Sequence, residues 1–190
     1  MAATQPIRSK QQVREFAGYY LHMGQIRNYV LIILGIHTAL RISDLLRLRW
    51  EDVYDFDNVR IRTSITITEK KTGKSKTVAL NKSIVNAINL LVSGNAGKGR
   101  YIIENYRTGK AISRIQAYRI IRTASEMLRF QYRVSCHSLR KTFGYHAWKK
   151  GASPVVIMEI FNHSSLEVTR RYLGVTQDDK NEVYLELDFA

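Results

Sequence analysis

The sequence predicts an α+β domain that is mostly helical, with one small antiparallel hairpin or three-stranded sheet. Three observations lead there. Apolar residues recur at helical spacing over most of the chain, the period switches to two across Val59–Thr68, and Ser, Thr, Pro and Gly stand at the ends of the periodic runs. In chain order, Ser9 with Gln12 makes a capping-box pattern ahead of VREFAGYYLHMG, and the run from Ile26 to Leu40 reads as a second, apolar helix. Ser43 is placed to cap a third, DLLRLRW. In VRIRTSITIT, Val59, Ile61, Thr63, Ile65 and Ile67 alternate with Arg60, Arg62, Ser64, Thr66 and Thr68, the pattern of a half-buried strand. KKTGKSKTVAL adds a turn at Thr72, Gly73 and Lys74 and a return strand. Helical signals resume after Asn81 with KSIVNAINLLVS, followed by a loop, GNAGKGR. Ser113 opens a long helix, RIQAYRIIRTASEMLRF, and HSLRKTFGYHAWKK stops at Gly151. Ser153 and Pro154 open a short helix with proline at its favoured first position, and Ser164 and Ser165 open the one that bears Tyr172.

A chain of 190 residues, 45% of them apolar, buries one sizeable core, so a single domain over 1–190 is expected. No repeat, low-complexity tract or linker divides it. Lys and Arg number 30 against 16 Asp and Glu, a formal +14, which points to a polyanionic partner and first to nucleic acid. The longest apolar run, Tyr29 to Leu40, contains Gly35 and His37 and falls short of the roughly 20 residues that cross a bilayer. No membrane association is expected. The first residues, MAATQPIRSKQQ, show no apolar signal core, and a single cysteine, Cys136, excludes an internal disulfide framework; the cytoplasm fits best.

A few residues are hard to explain as packing. Arg41 follows the most apolar stretch of the chain. Either it lies at a helix start and points to water, or it is held near the core and needs a partner or a bound anion, because a lone buried guanidinium is costly. Asp44, three residues on, shares its helix face and is placed to orient it. His137 and Arg140 also share a face near a helix N-terminus, where free N–H groups favour an anion; the alternative is a plain pair of surface residues. Leu166 and Leu173 are spaced to share a buried stripe that leaves Tyr172 off its line.

Taken in order, TALRISDLLRLRWEDV, the hairpin KKTGKSKTVAL, HSLRKTFGYHAW and FNHSSLEVTRRYLGV resemble the catalytic domain of the tyrosine recombinase (phage integrase) family, from about Thr38 to Val175. The resemblance implies a mostly helical catalytic domain with a small antiparallel sheet. It makes Arg41 the first catalytic arginine, Asp44 its acidic support, Lys71 the hairpin lysine, His137 and Arg140 the HxxR pair, His163 the later histidine and Tyr172 the nucleophile. Lys70 competes with Lys71, since strand alternation sends the two to opposite faces; the family's lysine commonly sits just before such a turn, which favours Lys71.

The implied activity is site-specific recombination of double-stranded DNA (integration, excision or inversion) through a 3′-phosphotyrosyl intermediate, without cofactor, ATP or metal. The phenol needs a proton acceptor, for which His137 is the candidate, and a cationic site for the phosphate. Arg41 and Arg140 donate to non-bridging oxygens, His163 helps with that charge, and Lys71 protonates the departing 5′-hydroxyl. Self-association into a tetramer on two DNA sites is also implied, with room for accessory DNA-bending proteins.

Two features depart from the family pattern. Only forty residues precede Arg41, so no separate N-terminal core-binding domain is expected, whether the chain is a truncated piece or a naturally short member. Ala39 stands where glycine is usual, and Asn162 replaces the glycine before His163, which calls for a left-handed backbone there. The tail, 176–190, is acidic, with Asp178, Asp179, Glu182, Glu186 and Asp188 against Lys180. Its Val183, Tyr184 and Leu187 form a short apolar face that either folds back or docks on a neighbouring subunit.

A rival reading makes SPVVIMEIFNHSSLEVTRRYLG a helix-turn-helix that carries Arg170 and Arg171 into a major groove, with Tyr172 touching a phosphate and doing no chemistry. It leaves the joint presence of Arg41, Lys71 and His137 unexplained. A metal-dependent nuclease is weaker still, since there is no HExxH and no dense carboxylate cluster.

Overall fold

The computed structural model describes residues 4–93 and 100–187; most of the loop expected at 94–100 and the tail's last residues, Asp188 included, lie outside the described residues. The helices are α1 (Lys10–His22), α2 (Ile26–His37), α3 (Ile42–Leu45), α4 (Trp50–Val53), α5 (Lys82–Ser93), α6 (Arg114–Met127), α7 (Cys136–Lys149), α8 (Pro154–Ile160), α9 (Leu166–Leu173) and α10 (Gln177–Glu186). The strands form three antiparallel pairs, β1 (Tyr54–Asp55) with β2 (Arg60–Ile61), β3 (Ser64–Thr68) with β4 (Ser75–Ala79), and β5 (Glu104–Asn105) with β6 (Lys110–Ala111). The α+β expectation therefore holds. The sheet is not three-stranded, and the β5–β6 pair was not foreseen.

Local chemistry sets most boundaries. Ser9, Ser113, Ser135, Ser153, Ser165 and Thr176 each cap a helix by accepting a backbone N–H with the side-chain oxygen. Three expected boundaries move. Helix α2 stops at His37, because Thr38 closes it and Ala39 takes φ 55°, so it does not reach Leu40. The third helix begins after Arg41, not at Ser43, and DLLRLRW breaks into two short pieces. The run 59–68 is also split, with Val59 at φ 50° and residues 62 and 63 outside either strand.

Helix α2 is the centre of the domain, buried from Val30 to Ile36. One face joins α4, α5 and the inner side of the β3–β4 hairpin in the larger core; the other meets α1, α6 and α7 through Ile32, Ile36, Phe16, Ile121 and Leu139. Gly35 permits this: a Cβ there would lie 2.4 Å from Leu139 Cδ1 and 3.2 Å from Leu139 Cβ, so α7 approaches α2 only because that atom is missing. A smaller cluster of Ala39, Ile157, Phe161 and Leu173 locks α8 and α9 onto α7. Here Gly144 is needed, since its Cβ would stand 2.8 Å from the Phe161 ring. On α9 the buried residues are Thr169 and Leu173, whereas Leu166 is exposed, so the stripe expected from Leu166 to Leu173 does not form.

Replacing Gly144 by valine should destabilise the protein by about 1–3 kcal/mol, because the inserted atoms overlap a ring that has no room to move. Chemical denaturation of the variant against wild type measures this.

Candidate active site

The site lies where the 38–41 segment, the end of the β3–β4 hairpin, α7 and the α8–α9 corner meet. Arg140 comes from the first turns of α7 and is 3% exposed. Its Nη1 donates to the carbonyl of Ala39, and its Nη2 donates to the carbonyl of Phe161 at 2.5 Å. The guanidinium also lies over the Phe161 ring, 4.4 Å from its centroid. Burial, then the nearby charge of Arg41, brings its pKa down to about 10, and it stays protonated at neutral pH.

Arg41 projects from the N-cap of α3, half-buried, with Nη2 3.5 Å from the same Phe161 carbonyl. Its counter-charge is Glu69, not Asp44: Arg41 Nη1 and Glu69 Oε2 are 2.6 Å apart, and the Glu69 side chain is fully buried. Asp44 instead accepts the backbone N–H of Lys70 at 2.9 Å, which fastens the hairpin turn to α3. Arg41 precedes the helix as its extended N-cap, so the helix-face spacing to residue 44 does not apply to it. Burial works to raise the Glu69 pKa; the Thr72 hydroxyl and Arg41 outweigh it and hold the carboxyl below its usual range. Glu69 was missed by the sequence reading. Its signal was a carboxylate continuing the inward-facing series of Ile65 and Ile67.

Lys70 and Lys71 both lie in the turn beyond the end of β3 and are exposed, so strand alternation does not separate them. The lysine that turns inward is Lys76 on β4, paired across from Ile67. Its Nζ reaches the Thr38 carbonyl at 3.5 Å, and burial, followed by Arg140, brings its pKa down to about 8.

His163 and Tyr172 face each other across the α8–α9 corner, with ring centroids 4.6 Å apart, and Phe161 lies against both. Arg140 and Lys141 approach the Tyr172 ring at 5.9 Å and 5.8 Å. The corner is turned by Asn162 at φ 49°, the left-handed geometry expected of it. His163 Nδ1 is 3.0 Å from Thr169 Oγ1, whose hydroxyl donates to the Ser165 carbonyl. With that hydroxyl spent on Ser165, the favoured tautomer carries the proton on Nδ1 and leaves the Nε2 lone pair free. Burial, then Arg140 and Arg41, drives the His163 pKa down to about 4. His137 sits in the first turn of α7, open to solvent on one side, its pKa lowered by partial burial and then by Lys141 and Arg114. Among the described residues the imidazole in ring contact with Tyr172 is that of His163.

Six buried side-chain polar atoms lack a hydrogen-bond partner among the described residues, and five belong to this cluster: Arg41 Nη1, Asp44 Oδ2, Glu69 Oε1, Arg140 Nε and Asn162 Nδ2. Of the three nitrogens, Arg41 Nη1 is held by Glu69 and Asn162 bears on the same carboxyl, so the donor left for an acceptor-rich anion is Arg140 Nε.

The model of the phage integrase family matches residues 9–179. A probable integrase/recombinase, YoeC, of Bacillus subtilis is 37% identical over 184 residues, 97% of each chain. Tyrosine recombinase XerD of Mycobacterium tuberculosis is 28% identical over 165 residues, 84% of this chain and 51% of that one. The chain thus spans about half the length of that relative. Among solved structures, XerA recombinase superposes with a TM-score of 0.77 at 20% identity, over 97% of this chain and 66% of that one. XerH bound to its palindromic difH substrate gives 0.78 at 18%, over 98% and 54%. At such identities the superpositions speak for the fold.

His163 makes stability depend on pH. Its pKa is depressed in the folded state, so the unfolded chain binds the extra proton first as pH falls. The stability it contributes is present above about 6.5 and lost towards about 4. Replacing it with glutamine should flatten that part of the profile, as denaturation midpoints between pH 7 and 4.5 will report.

Proposed function

We propose how this chain, which belongs to the phage integrase family, cuts and rejoins DNA during site-specific recombination. The observation that carries the reading is the convergence of Arg41, Arg140, His163 and Tyr172 around the Phe161 carbonyl and ring, with the Arg140 Nε donor unfilled among them.

The scissile phosphate lies between the two guanidiniums, whose donors strengthen as charge builds on the non-bridging oxygens. The Tyr172 oxygen attacks phosphorus, and its proton passes to Nε2 of His163, the ring beside it. His137 then serves the phosphate from the N-terminus of α7, and His163 takes the acceptor role first assigned to His137. The bond from phosphorus to the 5′-oxygen breaks, and Lys71 on the hairpin turn gives that oxygen a proton. The products are a 3′-phosphotyrosyl ester and a free 5′-hydroxyl. Attack by another strand's 5′-hydroxyl reverses each transfer: its proton returns to Lys71, the tyrosyl ester breaks, and His163 restores the proton to Tyr172. One phosphoester is exchanged for another, so the cycle needs no ATP and no metal to activate water.

The groove-binding regulator is disfavoured by the family match and by Tyr172 itself, which is half-buried against Phe161 and His163. No helix among the described residues is long and apolar enough to cross a membrane. A DNA substrate favours the cytoplasm as the working compartment.

Covalent trapping tests the reaction. The protein is incubated with sheared genomic DNA of its source organism, detergent-resistant adducts are captured, and the attached sites are sequenced and rebuilt as nicked suicide duplexes. Tyr172→Phe should abolish the adduct and keep duplex binding, and an undiminished adduct would refute the assignment. Arg41→Ala should slow cleavage by about 10²–10³-fold, a loss typical of a transition-state donor, while duplex affinity falls far less because many other phosphate contacts remain.

A tetramer on two DNA duplexes is proposed from the tail. Helix α10 is tied to its own domain by Lys149, 2.8 Å from both Asp179 and Glu182. It has no buried residue, however, and Val183, Tyr184, Leu185 and Leu187 are exposed. Such an apolar end suits a neighbouring subunit. Deleting residues 178–190 should leave a folded binder of single sites that no longer assembles on paired sites. Identical sedimentation of both proteins on the recovered site would place the tail in cis.

A further inference from the structure

We propose that Lys76 is a third cation of the phosphate site, donating from β4 to a non-bridging oxygen of the scissile phosphate beside Arg41 and Arg140. The proposal rests on the reaction above.

The register of the hairpin puts it there. On β4, Lys76 and Val78 share the inward face, opposite Ile67 and Ile65, while Ser75, Thr77 and Ala79 are exposed. A lysine on an apolar inner face ordinarily runs its stem out to water. This one runs inward, to the Thr38 carbonyl, in the same segment whose Ala39 carbonyl Arg140 grips and from which Arg41 projects. Its ammonium has three N–H donors, and among the described residues its hydrogen bond, to the Thr38 carbonyl, is 3.5 Å long. The charges acting on it are those of the site: Arg140 from α7, Arg41 before α3, Glu69 at the end of β3 and Asp44 on α3. Three cations against two carboxylates leave an excess of positive charge that a bound phosphodiester would neutralise.

The rival is purely structural. Thr38 closes α2, and an ammonium at a helix C-terminus is favourable without any ligand. Separating the two requires a readout that depends on the phosphate's charge. Lys76→Met and Lys76→Arg are compared with wild type on the suicide duplex recovered by trapping, on the same duplex with a methylphosphonate at the scissile position, and on one with sulfur in place of the 5′-bridging oxygen. The expected result is a slowing of cleavage by Lys76→Met of about 10- to 100-fold on the natural phosphate. That defect should shrink several-fold on the uncharged methylphosphonate and persist on the 5′-sulfur duplex, with Lys76→Arg close to wild type.

A second arm is independent of turnover. Inorganic phosphate, against chloride at equal ionic strength, should raise the melting temperature of wild type and of Lys76→Arg more than that of Lys76→Met. If wild type forms no adduct the reaction itself fails, and this arm still judges the site. A defect equal on all three duplexes, or relieved only by 5′-sulfur, would overturn the proposal, as would an undiminished phosphate effect in Lys76→Met.

Discussion

Arg140 donates from α7 to two main-chain carbonyls, those of Ala39 and Phe161, and the rest of the site depends on that pair of bonds. Neither carbonyl belongs to a regular element that could satisfy it. The first follows the end of α2, where Ala39 adopts a left-handed conformation; the second closes α8 ahead of the left-handed Asn162. Both are segments where the chain reverses and the backbone lacks its own partners, and one guanidinium supplies donors to both. The segment that presents Arg41 and the corner that presents His163 are thereby fixed to the helix that carries Arg140. A residue expected to act on phosphate is thus also a structural clamp, and removing its side chain would leave the Ala39 carbonyl without its donor and the Phe161 carbonyl with only the long bond from Arg41.

The clamp works only because helices come unusually close. Gly35 lets α7 settle on α2, and Gly144 lets the Phe161 ring slide against α7, beneath the plane of the Arg140 guanidinium. The ring shields the cation from water on one side and contacts both His163 and Tyr172 on the other. Phe161 is therefore the floor of the site: its carbonyl accepts from both arginines, and its ring lies against both His163 and Tyr172.

Burying so much positive charge would be unfavourable without Glu69 and Asp44. Glu69 pairs directly with Arg41, and Asp44 holds the hairpin turn by the Lys70 N–H. The two acids do different work. Glu69 tempers the field of the cations before substrate arrives, whereas Asp44 keeps the turn bearing Lys71 against α3. Because Glu69 also accepts from Thr72 in that turn, charge at Arg41 and position of the hairpin are linked through one carboxylate.

The sequence alone determined the helical framework, the β3–β4 hairpin and the residue types of the site, because caps, periodicity and the order of four motifs are local properties of the chain. Ser113 with Gln116, Ser165 before α9 and the left-handed Asn162 each follow from side-chain chemistry within a few residues. Only the tertiary structure decided who meets whom. That Glu69 rather than Asp44 pairs with Arg41, that His163 rather than His137 touches Tyr172, and that Lys76 turns into the site depends on how a hairpin, a helix and a corner distant in sequence are brought together. Those contacts come from the close approach at Gly35 and Gly144 and from the carbonyls that Arg140 grips, and no periodicity within a single element encodes them.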